Sequence, residues 1–355
     1  MSRILFLVNG LGLGNATRCQ AIIDRLRTAG ADIAVATSDN GLWFFEDQPG
    51  LRSLTAIPSL RYGASQGRIS IAATLGQLAA MRATLAAAER AVGEVIRSFR
   101  PRVVVSDSVY ALGPVRRAGL PLCAVNNADM VVRAMAAFAD RPPGVLPQFL
   151  AVELADYLFH RWRPDLVISP RLDPTDRRQT GNQHAVGPIV RDGFVGDAAP
   201  RGTPKRVVIM LSGSAFGTPV SLRHTHPGLQ IDIIGRRGTD SPGVVYHGKL
   251  RDSRSLMRRA DLLVVNGGCS AVSEALMLRK PVVVIPVPRH AEQWINARIV
   301  RHLGVGFEAA EAELEDAMAG ALARIDSLRD AYRALPAFTD GAAEAAILIQ
   351  GLMRR

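Results

Sequence analysis

The chain has 355 residues, 48% of them hydrophobic and 21% charged, which is enough for about two domains whose cores need no disulfide or metal to stabilise them. The formal net charge is +11, but only three basic residues are lysine and the arginines are spread evenly along the chain, which argues against a nucleic-acid-binding tail. Cys19, Cys123 and Cys269 lie far apart, which excludes a disulfide framework and a CxxC metal site and favours a reducing cytoplasm.

No apolar run has the length or setting of a signal peptide, and none reaches the ~18 residues that a transmembrane helix needs. We therefore expect a cytoplasmic protein. Its positive charge also fits peripheral contact with the inner, anionic face of a membrane, but not a nucleic-acid partner.

Strand and helix patterns alternate in the first half of the chain. Residues 3–8 read as a buried strand, followed by a glycine loop, a helix over 17–29 and a strand over 31–37. This order predicts a βαβ unit and hence a parallel sheet. Further strands are predicted at 102–107, 120–125 and 166–169, the last of this half, and alanine-rich helices at 70–99. Residues 1–185 are predicted to form the first domain.

The second half repeats this rhythm after a segment rich in proline, glycine and charge, of which residues 186–205 are predicted to be an interdomain linker. Strands are predicted at 206–211, 230–234, 244–246, 262–265 and 282–286. We expect residues 206–338 to form a second domain and residues 339–355 to form an amphipathic helix that packs back on the first. The fold class is α/β, with two doubly wound parallel sheets.

The first glycine loop contains Gly10, Gly12 and Gly14. It departs from the dinucleotide fingerprint, because Asn15 stands where a third glycine is required, and no GK[ST] follows as in a P-loop. A tight turn without any ligand is the alternative for this loop.

The second glycine loop is more specific. Gly267 and Gly268 allow the backbone to approach a ligand closely, and Ser270 begins a helix whose free amides suit a diphosphate. Glu274 lies one turn further, where a carboxylate can accept two hydrogen bonds from a ribose diol; the alternative is an acid that merely complements the helix dipole. Polar residues after the next strand suit a polyol: Glu292, Gln293 and Asn296.

Residues 260–306 resemble the donor half of GT-B nucleotide-sugar glycosyltransferases, in the group around the peptidoglycan N-acetylglucosaminyltransferase MurG and the UDP-glycosyltransferases. The family pattern has a GG-x-[ST] turn, E-A in the helix that follows, an x-P before the next strand, a proline before [DE]-Q-x-x-N-A, and a closing L-G-x-G. Here it reads Gly267-Gly268-Cys269-Ser270, Glu274-Ala275, Lys280-Pro281, Pro286, Glu292-Gln293, Asn296-Ala297 and Leu303-Gly304-Val305-Gly306. Weaker resemblances extend to 185–191, to 212–214 and to the loops at 105–107 and 126–127.

The resemblance implies a GT-B fold and a donor site. Gly267, Gly268 and Ser270 would hold the diphosphate, with Gly213, Ser214 and Arg191 nearby; a solvated linker arginine is the alternative for Arg191. Glu274 would bind the ribose, and the backbone at Leu250 would meet the base, most often uracil in the family. The sugar would contact Glu292 and Gln293, with His290 and Asn296 on the same rim. The acceptor would lie against Gly12, Gly14, Asn15, Arg18 and Asn127.

One position departs from the family pattern. Asn15 stands where these enzymes commonly have the histidine that deprotonates the acceptor hydroxyl, and an amide cannot take up a proton at neutral pH. Three outcomes stay open: another base such as Asp107, with His290 as a further candidate; an acceptor that Asn15 only orients; or a nucleotide-sugar site without turnover. His224 and His226 are interpreted as solvated loop residues, and no metal is expected.

The resulting hypothesis is a hexosyltransferase-type enzyme. It would move a sugar from a nucleotide-diphospho-sugar, with UDP favoured, to a sugar, lipid-linked or natural-product hydroxyl, with inversion and with neither metal nor cofactor. Such a reaction belongs to the synthesis of cell envelopes or glycoconjugates. The alternatives are a nucleotide-sugar hydrolase or epimerase on the same scaffold, and a non-catalytic nucleotide-sugar-binding protein.

Overall fold

The computed structural model describes residues 2–59, 64–65, 68–69, 78–197, 199–211, 222 and 228–354. Two parallel sheets of seven and six strands dominate it, as the alternation of strand and helix patterns predicted. The strands are β1 (Arg3–Val8), β2 (Asp32–Thr37), β3 (Ser53–Ala56), β4 (Ala64–Ser65), β5 (Arg68–Ile69), β6 (Val103–Asp107), β7 (Leu122–Val125), β8 (Leu166–Pro170), β9 (Gln183–Val186), β10 (Arg206–Met210), β11 (Gln230–Ile234), β12 (Val244–Gly248), β13 (Leu262–Asn266), β14 (Val282–Ile285) and β15 (Gly306–Glu308).

Helices connect these strands and cover both faces of the sheets. They are α1 (Leu13–Thr28), α2 (Asp39–Phe45), α3 (Leu78–Phe99), α4 (Gly113–Arg117), α5 (Ala128–Ala137), α6 (Val145–Gln148), α7 (Leu154–Trp162), α8 (Arg254–Arg259), α9 (Cys269–Met277), α10 (Ala291–His302), α11 (Leu314–Ala323), α12 (Ile325–Ala334) and α13 (Gly341–Leu352). A π-helix, Phe149–Glu153, joins α6 to α7, and a short 3₁₀-helix, Glu311–Glu313, precedes α11. Among the described helices, none combines the length and the apolar composition that a membrane span requires.

The strand orders are β3-β2-β1-β6-β7-β8-β9 and β12-β11-β10-β13-β14-β15, while β4 and β5 form a separate antiparallel pair. In each large sheet the second and third strands are added on one side of the first strand, and the later strands are added on its other side. The order therefore reverses between β1 and β6, and again between β10 and β13. Ligands of doubly wound sheets bind outside the carboxyl ends of the strands at such switch points.

The expectation that strand 166–169 would be the last of the first sheet is wrong, because β9 pairs with β8 and extends the sheet by one edge strand. This four-residue strand, QHAV, is only partly apolar and lies within a segment whose prolines, glycines and charges indicated a linker. An edge strand needs hydrogen bonds on one side alone, so that it can form without an apolar pattern.

The chain passes between the domains at two places that touch each other. One is the turn after β9, and the other leads into α13, which packs on the first sheet with Ala345 and Ile349 in its core. Gly187 donates its backbone N–H to Glu344 Oε2 (2.7 Å). A Cβ on Gly341 would lie 1.9 Å from the Gly187 carbonyl oxygen, so that the two crossings can meet only through a residue without a side chain.

We predict that Gly341→Ala lowers the free energy of unfolding by about 1–3 kcal/mol, because backbone atoms on both crossings must move apart. Gly351→Ala is the matched control in the same helix: a Cβ there meets nothing within 4 Å, and alanine should stabilise the helix by up to about 1 kcal/mol. Urea unfolding of the two variants measures the difference. Equal stability would contradict the close approach.

Candidate functional site

A deep cleft lies where the switch points of the two sheets face each other. Its volume is about 990 Å³, which is at the upper end for a small-molecule site. The walls are the loops after β1 and β6 on one side and the loops after β11, β12, β13 and β14 on the other, joined by the segment 148–156. Both glycine loops identified in the sequence therefore open into one space.

The N-terminus of α9 faces this cleft. Gly268 is its N-cap and has no capping side chain, so that first-turn amides stay available to a ligand. Gly267 packs behind: a Cβ there would lie 2.5 Å from the Gln293 carbonyl oxygen. Asn296, which was predicted to face the donor, is fully buried and donates its Nδ2 to the Gly267 carbonyl (2.8 Å). The position of Asn296 thus indicates that it supports the glycine turn and does not contact a ligand.

Glu274 and Arg191 form a buried ion pair on the cleft wall, with Arg191 Nη2 3.4 Å from Glu274 Oε1. Burial raises the pKa of the Glu274 carboxyl to about 7, against the opposing effect of Arg191. Both side chains are less than a tenth exposed, so that Arg191 is not the solvated linker residue of the alternative interpretation. A carboxylate held in this way can accept hydrogen bonds from a diol.

The remaining donor-side residues line the same wall. Leu250, His290, Glu292 and Gln293 all contribute to the lining, and Gln293 Oε1 accepts from the Val287 amide (3.0 Å). Burial lowers the pKa of the His290 imidazole, which Glu292 only partly offsets, and the buried His290 Nδ1 has no hydrogen-bond partner among the described residues. Gly213, Ser214, His224 and His226 lie outside the described residues.

The first glycine loop contacts α9 directly. Gly12, Gly14 and Asn15 line the cleft, and the Ser270 hydroxyl donates to the Gly14 carbonyl (2.8 Å). Asn127 lies on the same wall and donates its Nδ2 to Glu292 Oε1 (3.0 Å). Predicted acceptor and donor residues therefore meet across the cleft.

The position of Asp107 does not support its predicted role as the general base. The side chain is fully buried, is not part of the cleft lining, and accepts two hydrogen bonds from Arg18, at 2.9 Å from Nε and 2.7 Å from Nη2. A base must reach the acceptor hydroxyl within hydrogen-bond distance. Arg18 lies at the edge of the cleft lining but is likewise committed to Asp107, with Asn15 Oδ1 3.5 Å from its Nη2.

Sequence reasoning missed the segment 145–162, which closes one side of the cleft with Gln148, Glu153 and Asp156. Gln148 Oε1 accepts the Ala291 amide (2.9 Å), which caps the first turn of α10 from the opposite domain. The loop after β11 was missed as well, although its sequence Gly235-Arg236-Arg237 directly after a buried strand is the kind of signal that identified the other loops.

Contacts between α2 and the loop after β12 hold the two domains together. Trp43 of α2 lies between two cations of the loop after β12, with Lys249 Nζ 4.0 Å and the Arg251 guanidinium 4.5 Å from its ring centre. Arg251 also pairs with Glu46 and Asp47. The loop that carries Leu250 is therefore fixed to the first domain by cation–π contacts and ion pairs.

Within the part of the chain that the structure describes, no three His, Cys, Asp or Glu side chains come together in a group that could hold a metal ion. Cationic side chains and helix amides line the cleft instead, with Arg191, Arg236 and Arg237 on the donor side.

We predict that Asp107→Ala destabilises the protein by about 3–5 kcal/mol, because it leaves the buried Arg18 charge without a partner. The double variant Arg18→Met/Asp107→Leu should recover much of this loss, since it removes both charges together. Urea unfolding of the single and double variants measures the coupling. A fully stable Asp107→Ala protein that has lost only activity would contradict the structural role.

Comparisons with known proteins agree with this architecture. An uncharacterized glycosyltransferase of Methanosarcina acetivorans is 25% identical over 336 residues, covering 86% of this chain and 84% of the relative. The glycosyltransferase SsfS6 of Streptomyces sp. SF2575, solved with thymidine diphosphate, matches with a TM-score of 0.59 at 18% identity over 99% of this chain and all of that one. MurG of Acinetobacter baumannii matches with a TM-score of 0.60 at 14% identity, with the same coverage.

These neighbours confirm the predicted fold, two parallel-sheet α/β domains in the GT-B arrangement. The model of glycosyl transferase family 1 matches residues 2–141 and 247–325, which includes both glycine loops and the ends of β1, β6, β12, β13 and β14. The chain therefore belongs to glycosyl transferase family 1 and is a glycosyltransferase.

Proposed function

We propose that the protein transfers a sugar from a nucleotide-diphospho-sugar to an acceptor hydroxyl, with inversion at the anomeric carbon and without a metal ion or cofactor. The observation that carries this proposal is the Glu274–Arg191 pair beside the open N-terminus of α9. The pair supports the proposal because a carboxylate can bind a ribose diol and a neighbouring cation can bind a diphosphate. By the resemblance in 260–306, uridine is the favoured base, although SsfS6 was solved with thymidine diphosphate.

Departure of the diphosphate is the step that the donor side can stabilise. The α9 amides at Gly268 and Ser270 lie at the positive end of the helix dipole, and Arg191 adds a full charge. As the anomeric C–O bond breaks, negative charge moves onto the diphosphate, where these groups are already in place. Direct displacement from the opposite side, where Asn15 and Asn127 lie, inverts the anomeric centre.

Water in the place of the acceptor would make the same site a nucleotide-sugar hydrolase, and a site without turnover would be a binding protein. These alternatives follow from the asparagine at position 15, which cannot act as a base. The nucleotide released in the presence and absence of acceptor distinguishes the three.

We predict that UDP-glucose or dTDP-glucose raises the melting temperature and that its affinity increases with pH through about 7, because Glu274 accepts ribose hydrogen bonds best when ionised. A sugar diphosphate has no protonation step of its own in this range. Glu274→Gln should weaken binding about tenfold or more at pH 8 and abolish the pH dependence. Calorimetric titration between pH 6 and pH 8.5 measures both effects.

The exposed Glu94→Gln on α3, outside the cleft lining, is the matched control and should bind as the wild type does. If no nucleotide or nucleotide-sugar of a uridine and thymidine panel changes the melting temperature, the donor proposal fails. Equal affinity of Glu274→Gln and wild type at pH 8 would remove Glu274 alone from the site.

We also propose that the protein contacts an anionic membrane through the outer face of segment 145–162. Four large apolar residues at intervals of four or eight positions are 45–75% exposed there: Leu146, Leu150, Leu158 and Trp162. The carboxylates of the segment, Glu153 and Asp156, face the cleft, whereas Arg161 and Arg163 lie exposed beside Trp162. Apolar side chains flanked by arginines complement an anionic lipid surface. A lipid-linked hydroxyl would thereby come close to the cleft.

We predict that the protein sediments with phosphatidylglycerol vesicles but not with phosphatidylcholine vesicles, and that 0.5 M salt weakens the binding. Leu150→Ser/Trp162→Ser should reduce it at least tenfold, because the inserted apolar area is lost. Ile347→Ser on α13, which is 68% exposed on another surface, should bind as the wild type does. Vesicle binding unaffected by the double variant, or a dimer in solution that only this variant dissociates, would contradict the membrane contact.

A further inference from the structure

The group that takes the acceptor proton is unassigned in the transfer proposed above. Asn15 cannot take it, and Asp107 is enclosed by Arg18. Among the described residues, four carboxylates line the cleft and could reach a bound hydroxyl: Glu153, Asp156, Glu274 and Glu292.

Three of these carboxylates already have strong partners. Asp156 accepts from Tyr110 Oη (2.6 Å) and Asn126 Nδ2 (2.7 Å) and pairs with His160. Although burial alone would raise it, these partners hold the pKa of Asp156 below its ordinary value. Glu274 pairs with Arg191 on the nucleotide side, and Glu292 accepts from Asn127. Asp156 is thereby kept in its ionised form, while Glu274 and Glu292 are bound to partners that hold them on the nucleotide and sugar side of the cleft.

Glu153 differs in its position and its surroundings. It is the last residue of the π-helix Phe149–Glu153, a local widening of the helix that is frequent at functional sites. Its side chain is 7% exposed, lines the cleft and accepts a hydrogen bond from Gln148 Nε2 (2.9 Å). The same Gln148 caps α10, so that Glu153 is held beside the first turn that carries Glu292.

We propose that Glu153 is the general base that takes the place of the histidine absent at position 15. This inference rests on the transfer reaction proposed above. The acceptor oxygen forms a bond to the anomeric carbon and gives its proton to the Glu153 carboxylate. The bond from the anomeric carbon to the diphosphate breaks, and the nucleoside diphosphate leaves with the electron pair.

The electrostatics of the site support this role. Burial, followed by the negative charge of Glu292 and more weakly that of Asp156, raises the pKa of Glu153 to about 8, while Gln148 and the Glu292 amide oppose the shift. A base is most effective when its pKa lies near the working pH. His290 on the same rim is a weaker base, because burial lowers its pKa despite the neighbouring Glu292.

Comparing two kinds of nucleophile distinguishes the effect of Glu153 on proton removal from its effect on bond formation. Water or an alcohol must lose a proton to Glu153, whereas the azide ion has none to lose. With UDP-glucose and UDP-N-acetylglucosamine as donors, we expect Glu153→Gln to slow hydroxyl-dependent release of UDP about 10²–10⁴-fold. Release driven by azide, with a glycosyl azide as product, should stay within about threefold of wild type, as should the affinity for UDP.

The pH profile is an independent readout. The wild-type rate with a hydroxyl acceptor should fall as the pH drops below about 8, where Glu153 becomes protonated, and Glu153→Gln should lack this dependence. Glu153→Asp, which keeps a carboxylate on a shorter side chain, should retain the dependence at a lower rate. Glu94→Gln, the same exchange outside the cleft lining, is the control for activity, and melting temperatures report whether each variant folds.

Different outcomes overturn different claims. If Glu153→Gln keeps hydroxyl-dependent turnover, or loses azide-dependent turnover in parallel, Glu153 is not the base while the transfer reaction stands. If His290→Gln removes the pH dependence and Glu153→Gln does not, the base is His290. If the wild type releases no UDP from either donor with any nucleophile, the proposed transfer fails and the assignment of Glu153 fails with it.

Discussion

The buried ion pair between Arg18 and Asp107 is the interaction on which the acceptor half of the cleft depends. It joins α1, which follows β1, to the end of β6, across the point where the order of the first sheet reverses. The Asp107 carbonyl also accepts the Asn9 amide (3.0 Å) at the start of the glycine loop. With both charges excluded from water, loss of either partner would leave the other as an uncompensated buried charge, so that the loop from Asn9 to Gly14 is fixed against the cleft. These charges therefore position the catalytic surface and are not available for the chemistry.

The opposite wall is held by contacts that cross between the domains. Gln148 caps the first turn of α10, Asn127 binds Glu292, and Ser270 binds Gly14, so that the first turns of α9 and α10 both contact the first domain. A helix N-terminus carries unsatisfied amides, and supplying an acceptor from the opposite domain satisfies them while it sets the distance between the walls. The inner face of the segment 145–162 supplies such an acceptor, Gln148, while its apolar outer face is exposed.

The sequence predicted the two-sheet fold and the loops at the strand ends, because buried parallel strands and glycine turns are local patterns. It also identified Gly268, Glu274 and Glu292, which line the cleft, since their spacing within residues 260–306 is distinctive. Residue spacing cannot reveal which polar side chains are already bound by residues far away in the sequence. Asp107 ends a strand as a base should, yet Arg18 encloses it. Glu153 was missed because the residues of α10 that lie beside it are more than a hundred positions away in the sequence. The π-helix that contains Glu153 also interrupts the helical periodicity.

Charge in the cleft connects the donor site to the base. Burial raises the pKa of Glu274 to about 7 and, together with Glu292, that of Glu153 to about 8, so that neither carries a full charge at neutral pH. Arg191, Arg236 and Arg237 line the donor side, which leaves the region of the α9 N-terminus attractive to an anion. The burial that raises the pKa of Glu274 at the proposed donor site is thus the same property that gives Glu153 its affinity for a proton. In the transfer that we propose, donor binding and proton removal therefore depend on one feature, the burial of these carboxylates in the cleft wall.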